Sequence, residues 1–191
     1  MFCQRERKCS LFDRVGFVVN RRLYEQYGKE RILPKYVRIL EQLLGYGKEV
    51  YLLCHANDDL DICEELKQKF EDKDSIHVIN KVLSCFEFQK LARNFDYVVA
   101  ARYHSIVHSY KECIPCVALG WAVKYQELLE LMDQKSYLIN IGEDTLEDIS
   151  HIVSKMEATH VLESEKIKQQ LEIVQQQNCF DEMESVIECQ K

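Results

Sequence analysis

The chain alternates between short, continuous apolar runs and longer segments in which apolar residues recur every three or four positions. Short apolar runs that end at turn residues predict strands buried on both faces. These runs lie at 14–20, 49–54, 75–80, 97–101, 116–119 and 136–141. The periodic segments between and after them predict helices at 31–46, 60–70, 84–94, 105–113, 121–132 and 145–156.

The regular exchange of strand and helix predicts one α/β domain over residues 13–158. Strands separated by helices form a doubly wound, Rossmann-like parallel sheet with helices on both faces. Residues 1–12 are a charged lead-in without periodicity. Residues 159–191 are rich in Glu, Gln and Lys with spaced apolar residues, which predicts an amphipathic helical tail. Its apolar positions keep no clean heptad, so packing on the domain or on a partner is favoured over a coiled coil.

The segment 95–124 carries the strongest functional signal. A buried strand at 97–101 is followed by Arg102 and His104, and a helical pattern begins at Ser105. Ligands of open parallel sheets bind beyond the carboxyl ends of the strands, and a helix that starts there directs free backbone N–H groups at the same space. Arg102 and His104 are therefore candidate ligands of an anion.

Three further cations follow predicted strands. Arg21 and Arg22 come directly after the first strand; their spacing alone favours a solvated loop, with anion binding as the alternative. Lys124 falls in the first turn of the helix predicted at 121–132. A cation there opposes the helix dipole, which supports a role facing a ligand.

Other polar residues have both a structural and a functional interpretation. His55 is either a loop side chain or part of the ligand cleft, and His108, one helical turn after His104, either packs or supports that residue. Asp58 or Asp59 is expected to cap the helix at 60–70. Ser84, with Glu87 three residues later, forms a capping-box pattern.

Composition limits the possible partners. Hydrophobic residues make up 47% of the chain and charged residues 30%, as is usual for a globular protein. The net charge of −7 argues against general binding to nucleic acid or to anionic membranes. The charge is uneven, because residues 1–48 hold 11 Lys and Arg against 5 Asp and Glu. A local anion site is therefore compatible with an acidic chain.

The sequence also argues against a membrane-spanning, secreted or metal-binding protein and against the common nucleotide-binding motifs. No apolar run is long enough for a membrane span, and the N-terminus lacks the apolar core of a signal peptide. Nine scattered Cys then indicate reduced thiols and a cytoplasmic protein. Cys113 and Cys116 form a C-x-x-C at a helix end rather than a helix start, which favours plain packing. No metal-ligand spacing, G-x-G-x-x-G or P-loop is present.

The same segment resembles a known family. Asp-Tyr-Val-Val-x-x-Arg-Tyr-His-Ser-Ile, then Ile-Pro-Cys-Val-Ala-Leu, then a Lys four residues after Gly120, is similar to the C-terminal part of the polysaccharide pyruvyl transferases. The similarity is strongest over 96–124 and extends more loosely over 14–141. The family has a two-domain fold like that of GT-B glycosyltransferases, and it transfers pyruvate from phosphoenolpyruvate to a sugar as a ketal.

The resemblance implies roles for individual residues. Arg102 would hold the charge of phosphoenolpyruvate, since its planar fork suits phosphate and carboxylate. His104 would exchange protons or stabilise the leaving phosphate. No cofactor is implied beyond the donor, and the acceptor would be a sugar or a lipid-linked oligosaccharide. The implied donor-binding residues are Arg21, Arg22, Lys124 and Ser105.

The resemblance covers only the donor-binding half of the family. The chain is therefore expected to be a fragment, a separately encoded half or a protein that has lost catalysis. Apolar surface that the other half would cover then favours a homo-oligomer or a separate N-terminal-half partner. Two alternatives stay open. A GT-B glycosyltransferase half would bind a nucleotide sugar; it would need acidic or backbone contacts to a ribose, and no distinctive acidic signature stands at the strand ends. A non-catalytic assembly module is the other alternative.

Overall fold

A computed structural model describes residues 13–70 and 73–176. Six strands form one sheet in the order β3-β2-β1-β4-β5-β6, and every neighbouring pair is parallel. This arrangement confirms the predicted Rossmann-like, doubly wound sheet. The strands are β1 Arg14–Val18, β2 Glu49–Cys54, β3 Ile76–Val82, β4 Tyr97–Ala100, β5 Cys116–Gly120 and β6 Leu138–Asn140.

Helices cover both faces of the sheet, as predicted. One face packs on α2, α3 and the first part of α7, and the other packs on α4, α5, α6 and the last part of α7. The predicted capping box is present at the start of α4, where Ser84 and Glu87 bond each other's backbone N–H. The helices are α1 Arg21–Tyr27, α2 Lys29–Gly45, α3 Leu60–Gln68, α4 Cys85–Ala92, α5 Tyr103–Lys111, α6 Val123–Leu131 and α7 Leu146–Gln176.

Two predicted local structures are wrong. The segment at 21–27 is the helix α1 rather than a solvated loop. It buries only Leu23, so it lacks the apolar periodicity that reveals longer helices, and Asn20 caps it through its side chain. The strand predicted at 136–141 is reduced to β6, because Lys135–Tyr137 forms a 3₁₀ turn first.

The C-terminal helix α7 runs unbroken for 31 residues through the predicted end of the domain. Ile149, Val153 and Met156 pack on one face of the sheet, whereas Ile167 packs on the other. The helix therefore crosses beneath the sheet and joins its two layers. Residues 1–12 and 177–191, which include the lead-in and the rest of the tail, lie outside the described residues.

Among the helices that the structure describes, none combines the length and apolar composition that a membrane crossing requires.

The thiols of Cys113 and Cys116 are buried and form no disulfide, which confirms their packing role. Burial raises the pKa of the Cys116 thiol to about 12, so it stays protonated and unreactive.

A buried lysine fastens α7 to the amino edge of the sheet. The Nζ of Lys48 lies 3.0 Å from a carboxylate oxygen of Glu157 on α7, 3.2 Å from Asp96 and 3.4 Å from Asp13. Asp13 directly precedes β1, Asp96 directly precedes β4 and Lys48 directly precedes β2. Burial lowers the pKa of Lys48, but hydrogen bonds and attraction from Glu157 and Asp96 outweigh it and leave this pKa raised. The ammonium group therefore holds three strand starts and α7 together.

Replacing Lys48 by Ala should destabilise the fold by about 3 kcal/mol, because it leaves carboxylates buried without their cation. Urea unfolding measures the change. The matched control is Lys29→Ala, whose Nζ forms a 2.8 Å ion pair with Glu65 but is half exposed. The control should cost less than about 1 kcal/mol. Equal decreases in the free energy of unfolding of the two variants would show that the buried cluster stabilises the fold no more than an exposed ion pair does.

Candidate functional site

A cleft of about 490 Å³ opens beyond the carboxyl ends of the central strands. It lies at the switch point of the sheet, where β1 and β4 are neighbours and their following chains leave in opposite directions. No carboxylate is present among the described residues that line it. Its basic side chains are Arg22, Arg102, Lys124, His55, His104 and His108.

Asn20 builds the floor of the cleft at the end of β1. Its buried side chain donates from Nδ2 to the carbonyl oxygen of Ala101 at 3.0 Å and accepts from the backbone N–H of Arg22 at 3.1 Å. The hydroxyl of Tyr125 donates to the same Ala101 oxygen at 3.0 Å. These bonds join the ends of β1 and β4 to α1 and α6, so the surrounding cations start from a fixed frame.

Arg102 is held by a buried carboxylate. Its Nη2 lies 2.6 Å from both carboxylate oxygens of Asp59, and its Nε donates to Oδ2 at 3.2 Å. Asp59 is fully buried, whereas the side chain of Arg102 is 22% exposed. The backbone N–H of Arg21 donates to the same carboxylate at 2.9 Å. Arg102 is thus fixed at the edge of the cleft, and its Nη1 takes no part in these bonds to Asp59.

The predicted capping role of Asp59 is wrong. Asp59 stands at the position before α3, but its side chain makes no capping bond. Its carboxylate instead accepts hydrogen bonds from Arg102, which is 43 residues away in the sequence. The carbonyl oxygen of Asp58, the other candidate, accepts from Nε of Arg21 at 2.6 Å. Local sequence could not reveal this pairing, since Asp before a helix is also the usual signature of a cap.

Two of the predicted binding residues do not line the cleft. The guanidinium of Arg21 turns away and forms an ion pair with Asp61. The side chain of Ser105 is completely buried, and its backbone N–H donates to the carbonyl oxygen of Arg102 at 3.1 Å. The other four, Arg102, His104, Arg22 and Lys124, converge on the cleft. The binding and catalytic roles assigned to all six stay predictions.

Arg22 and Lys124 are the cations most accessible to a ligand. Both side chains are exposed and line the cleft, and neither forms an ion pair with a described residue. The Nζ of Lys124 lies 5.0 Å from the ring centre of Tyr103 and 5.8 Å from that of Tyr125. The two aromatic rings favour a position of the ammonium group beside the cleft without neutralising its charge.

The three histidines of the cleft differ in their surroundings. His104 is exposed in the first turn of α5 and meets the ring of Tyr103 edge to face. The Nδ1 of His108 lies 2.8 Å from the side-chain amide of Gln89, and burial, Lys111 and His104 lower its pKa. His55 packs on the ring of Phe88. Burial and the nearby Arg102 lower the pKa of His55 to about 4. His55 is therefore neutral at physiological pH.

These features give the cleft the chemistry of a candidate anion site. Guanidinium and ammonium groups suit phosphate or carboxylate oxygens, and imidazoles can donate or accept hydrogen bonds. Residues 13–70 and 73–176 contain no group of three or more His, Cys, Asp or Glu arranged to hold a metal ion. The sequence signalled the cations of the cleft, but gave no sign of Asn20, Tyr125 or the Asp59 pair.

Comparison with known proteins shows the fold. Neither a protein-family model nor a curated protein matches the chain. Among solved structures, UDP-GlcNAc 2-epimerase from Methanocaldococcus jannaschii, in complex with UDP-GlcNAc and UDP, aligns with TM-score 0.56 and 18% identity over 75% of this chain and 38% of that one. O-GlcNAc transferase from Thermobaculum terrenum aligns with TM-score 0.58 and 15% identity over 84% and 32%, respectively.

A third similar structure is S. aureus MnaA solved with UDP, with TM-score 0.57 and 17% identity over 86% of this chain and 42% of that one. The chain thus spans about a third to two fifths of the length of these proteins. At this identity the likeness establishes the fold, which agrees with the predicted half of a GT-B-like architecture. It does not show a pyruvyl transferase.

The buried ion pair predicts strong coupling between Asp59 and Arg102. In a double-mutant cycle with Asp59→Asn and Arg102→Gln, each single change leaves the other group without its partner. Urea unfolding should give a coupling free energy of about 2–3 kcal/mol. Purely additive single and double changes would contradict the pairing, and the exposed pair of Lys81 with Glu87 provides a reference whose coupling should be much smaller.

The low pKa of His55 predicts a dependence of stability on pH. Because the folded state lowers this pKa from 6.5 to about 4, the unfolded state binds the proton more readily. The parent should lose about 2–3 kcal/mol relative to His55→Gln as the pH falls from above 6.5 toward 4. The control is His151→Gln, which removes an exposed imidazole of α7 outside the cleft. A constant difference between parent and His55→Gln would contradict the assignment.

Proposed function

We propose that this chain is the donor-binding half of a sugar-modifying enzyme of the GT-B type, and that its cleft holds the phosphate groups of the donor. The observation that carries the proposal is the convergence of Arg22, Arg102 and Lys124 on one cleft without a carboxylate lining. They follow β1, β4 and β5, whose ends meet at the switch point of the sheet. Phosphate oxygens match such a set of cationic donors.

A nucleoside-diphosphate sugar is the donor that the fold favours. Two of the similar structures contain UDP, and one of them also contains UDP-GlcNAc. The accessible cations Arg22 and Lys124 are available to the two phosphates of such a donor, and Arg102 would contribute its remaining Nη1. The buried pair with Asp59 keeps Arg102 in place before the ligand arrives, which lowers the entropic cost of binding.

Phosphoenolpyruvate is a second candidate, supported by a specific feature. Arg102, His104 and Lys124, which carry the resemblance to pyruvyl transferases, line the same cleft, and no carboxylate lies there to bind the hydroxyls of a ribose. In ketal formation the methylene carbon gains a proton, two sugar hydroxyls add to the neighbouring carbon, and phosphate leaves. Of the two protons lost by the hydroxyls, one balances the new methyl group and the other the phosphate. In this candidate reaction His104, which lines the cleft, would exchange them.

Calorimetric titration tests the proposal and separates the donors. The parent should bind one of UDP-GlcNAc and phosphoenolpyruvate saturably, and more weakly as salt screens the exposed cations. Arg22→Ala should weaken binding about ten- to a hundredfold, because it removes a charge-assisted contact. Arg38→Ala, an exposed arginine on α2 whose Nε bonds Ser150, is the matched control and should bind as the parent does.

The choice of ligand decides between the two donors. Tight binding of UDP and UDP-GlcNAc with no response to phosphoenolpyruvate would support the nucleotide sugar, and the reverse would support pyruvyl transfer. A folded parent that binds neither, or an Arg22→Ala variant that binds as well as the parent, would contradict the assignment of the cleft as the donor site.

A further inference from the structure

A second cavity of about 310 Å³ lies beside the cleft, beyond the carboxyl ends of β5 and β6. Trp121 lines both spaces and forms the wall between them. The polar and aromatic lining of the second cavity consists of Tyr27, Trp121, Gln126, Asn140 and Glu143. Tyr27, Gln126, Asn140 and Glu143 do not line the phosphate cleft.

The fold holds this lining in place from several directions. Tyr27 ends α1 and packs so closely on Gly142 that a Cβ at that position would lie 2.5 Å from its ring. The side-chain amide of Asn140 donates to a carboxylate oxygen of Glu143 at 2.8 Å, and the backbone N–H of Asn140 donates to Asp144 at 2.9 Å. The aromatic ring and the polar pair are therefore held by two different elements, α1 and the turn after β6.

The chemistry of this lining differs sharply from that of the cleft. The described residues around the second cavity include no Lys, Arg or His, and Glu143 contributes a carboxylate. Such a space disfavours phosphate. Two amides and a carboxylate supply both donors and acceptors of hydrogen bonds, and the rings of Tyr27 and Trp121 supply flat apolar surfaces. A ligand that combines hydroxyl groups with an apolar face, and carries no negative charge, matches this combination.

We propose that the second cavity binds a neutral pyranose. The hydroxyls would exchange hydrogen bonds with Gln126, Asn140 and Glu143, while the C–H face of the ring would lie on Trp121 or Tyr27. The inference extends the proposed function, since an uncharged sugar unit next to the phosphate cleft is either the sugar of the donor or a unit of the acceptor glycan. Both sources present the same chemistry to the cavity.

Trp121 provides a direct readout, because it is the single Trp in the chain. Its fluorescence is recorded while the parent is titrated with methyl α-glucoside, methyl β-galactoside and N-acetylglucosamine. Mannitol, an acyclic polyol without a ring face, is the control ligand. At least one pyranose should produce a saturable change, and mannitol should produce none. An equal, linear response to all four compounds would overturn the proposal.

Matched variants locate the binding. Gln126→Ala and Asn140→Ala should each weaken the pyranose about three- to tenfold, the effect of one lost hydrogen bond. Gln68→Ala, an exposed glutamine on α3, should leave the affinity unchanged. Arg22→Ala, which alters only the cleft, should also leave it unchanged. Loss of pyranose binding in Arg22→Ala with full binding in Gln126→Ala would place the sugar in the cleft and overturn the assignment.

Comparing UDP with UDP-GlcNAc identifies the source of the sugar. If Gln126→Ala weakens UDP-GlcNAc but not UDP, the sugar of the donor enters the cavity; if it weakens only the free pyranose, the cavity receives an acceptor unit. The two proposals fail separately. Anion binding without any pyranose response would overturn the second cavity alone, whereas pyranose binding without any anion response would overturn the donor site and leave the second cavity standing.

Discussion

The ion pair of Asp59 with Arg102 is the interaction on which the cleft depends. A fully buried carboxylate is costly unless its oxygens are hydrogen-bonded, and here Arg102 and the backbone N–H of Arg21 satisfy them. The pair joins the chain after β2 to the starts of α1 and α5. It thereby fixes the positions from which Arg22 and His104 enter the cleft, before any ligand is bound.

The two edges of the sheet use charge in opposite ways. At the amino edge, Lys48 is surrounded by carboxylates and closed over by α7, so its charge is neutralised and inaccessible. At the carboxyl edge, Arg22 and Lys124 stay exposed and unpaired among the described residues, and the buried carboxylate of Asp59 is paired with Arg102. This asymmetry follows from a parallel sheet, which gathers all strand ends of one kind on one edge. The same construction leaves one edge with a neutralised charge and the other with exposed cations.

Much of this architecture is visible in the local sequence, and the rest depends on distant contacts. Apolar runs predict all six strands, and periodicity predicts most helices, because burial selects residue types position by position. Periodicity does not predict helix α1, because this helix buries only one residue. It also does not predict that α7 is one continuous helix, because the first part of α7 packs on one face of the sheet and the last part on the other. The sequence does not show which of Arg21 and Arg22 enters the cleft, because the two residues are identical and adjacent. In the helix their side chains point in different directions, so Arg21 pairs with Asp61 and Arg22 lines the cleft. The pairing of Asp59 with Arg102 spans 43 residues and leaves no local signature.

The most direct test of the anion cleft is an NMR titration of the six histidine side chains with inorganic pyrophosphate. Three of them, His55, His104 and His108, line the cleft, and the other three, His77, His151 and His160, do not. The ring resonances of the cleft histidines should move together and saturate at one concentration, while those of the other three should stay in place. No saturable movement in a folded protein, or movement confined to the histidines outside the cleft, would contradict the assignment of an anion cleft.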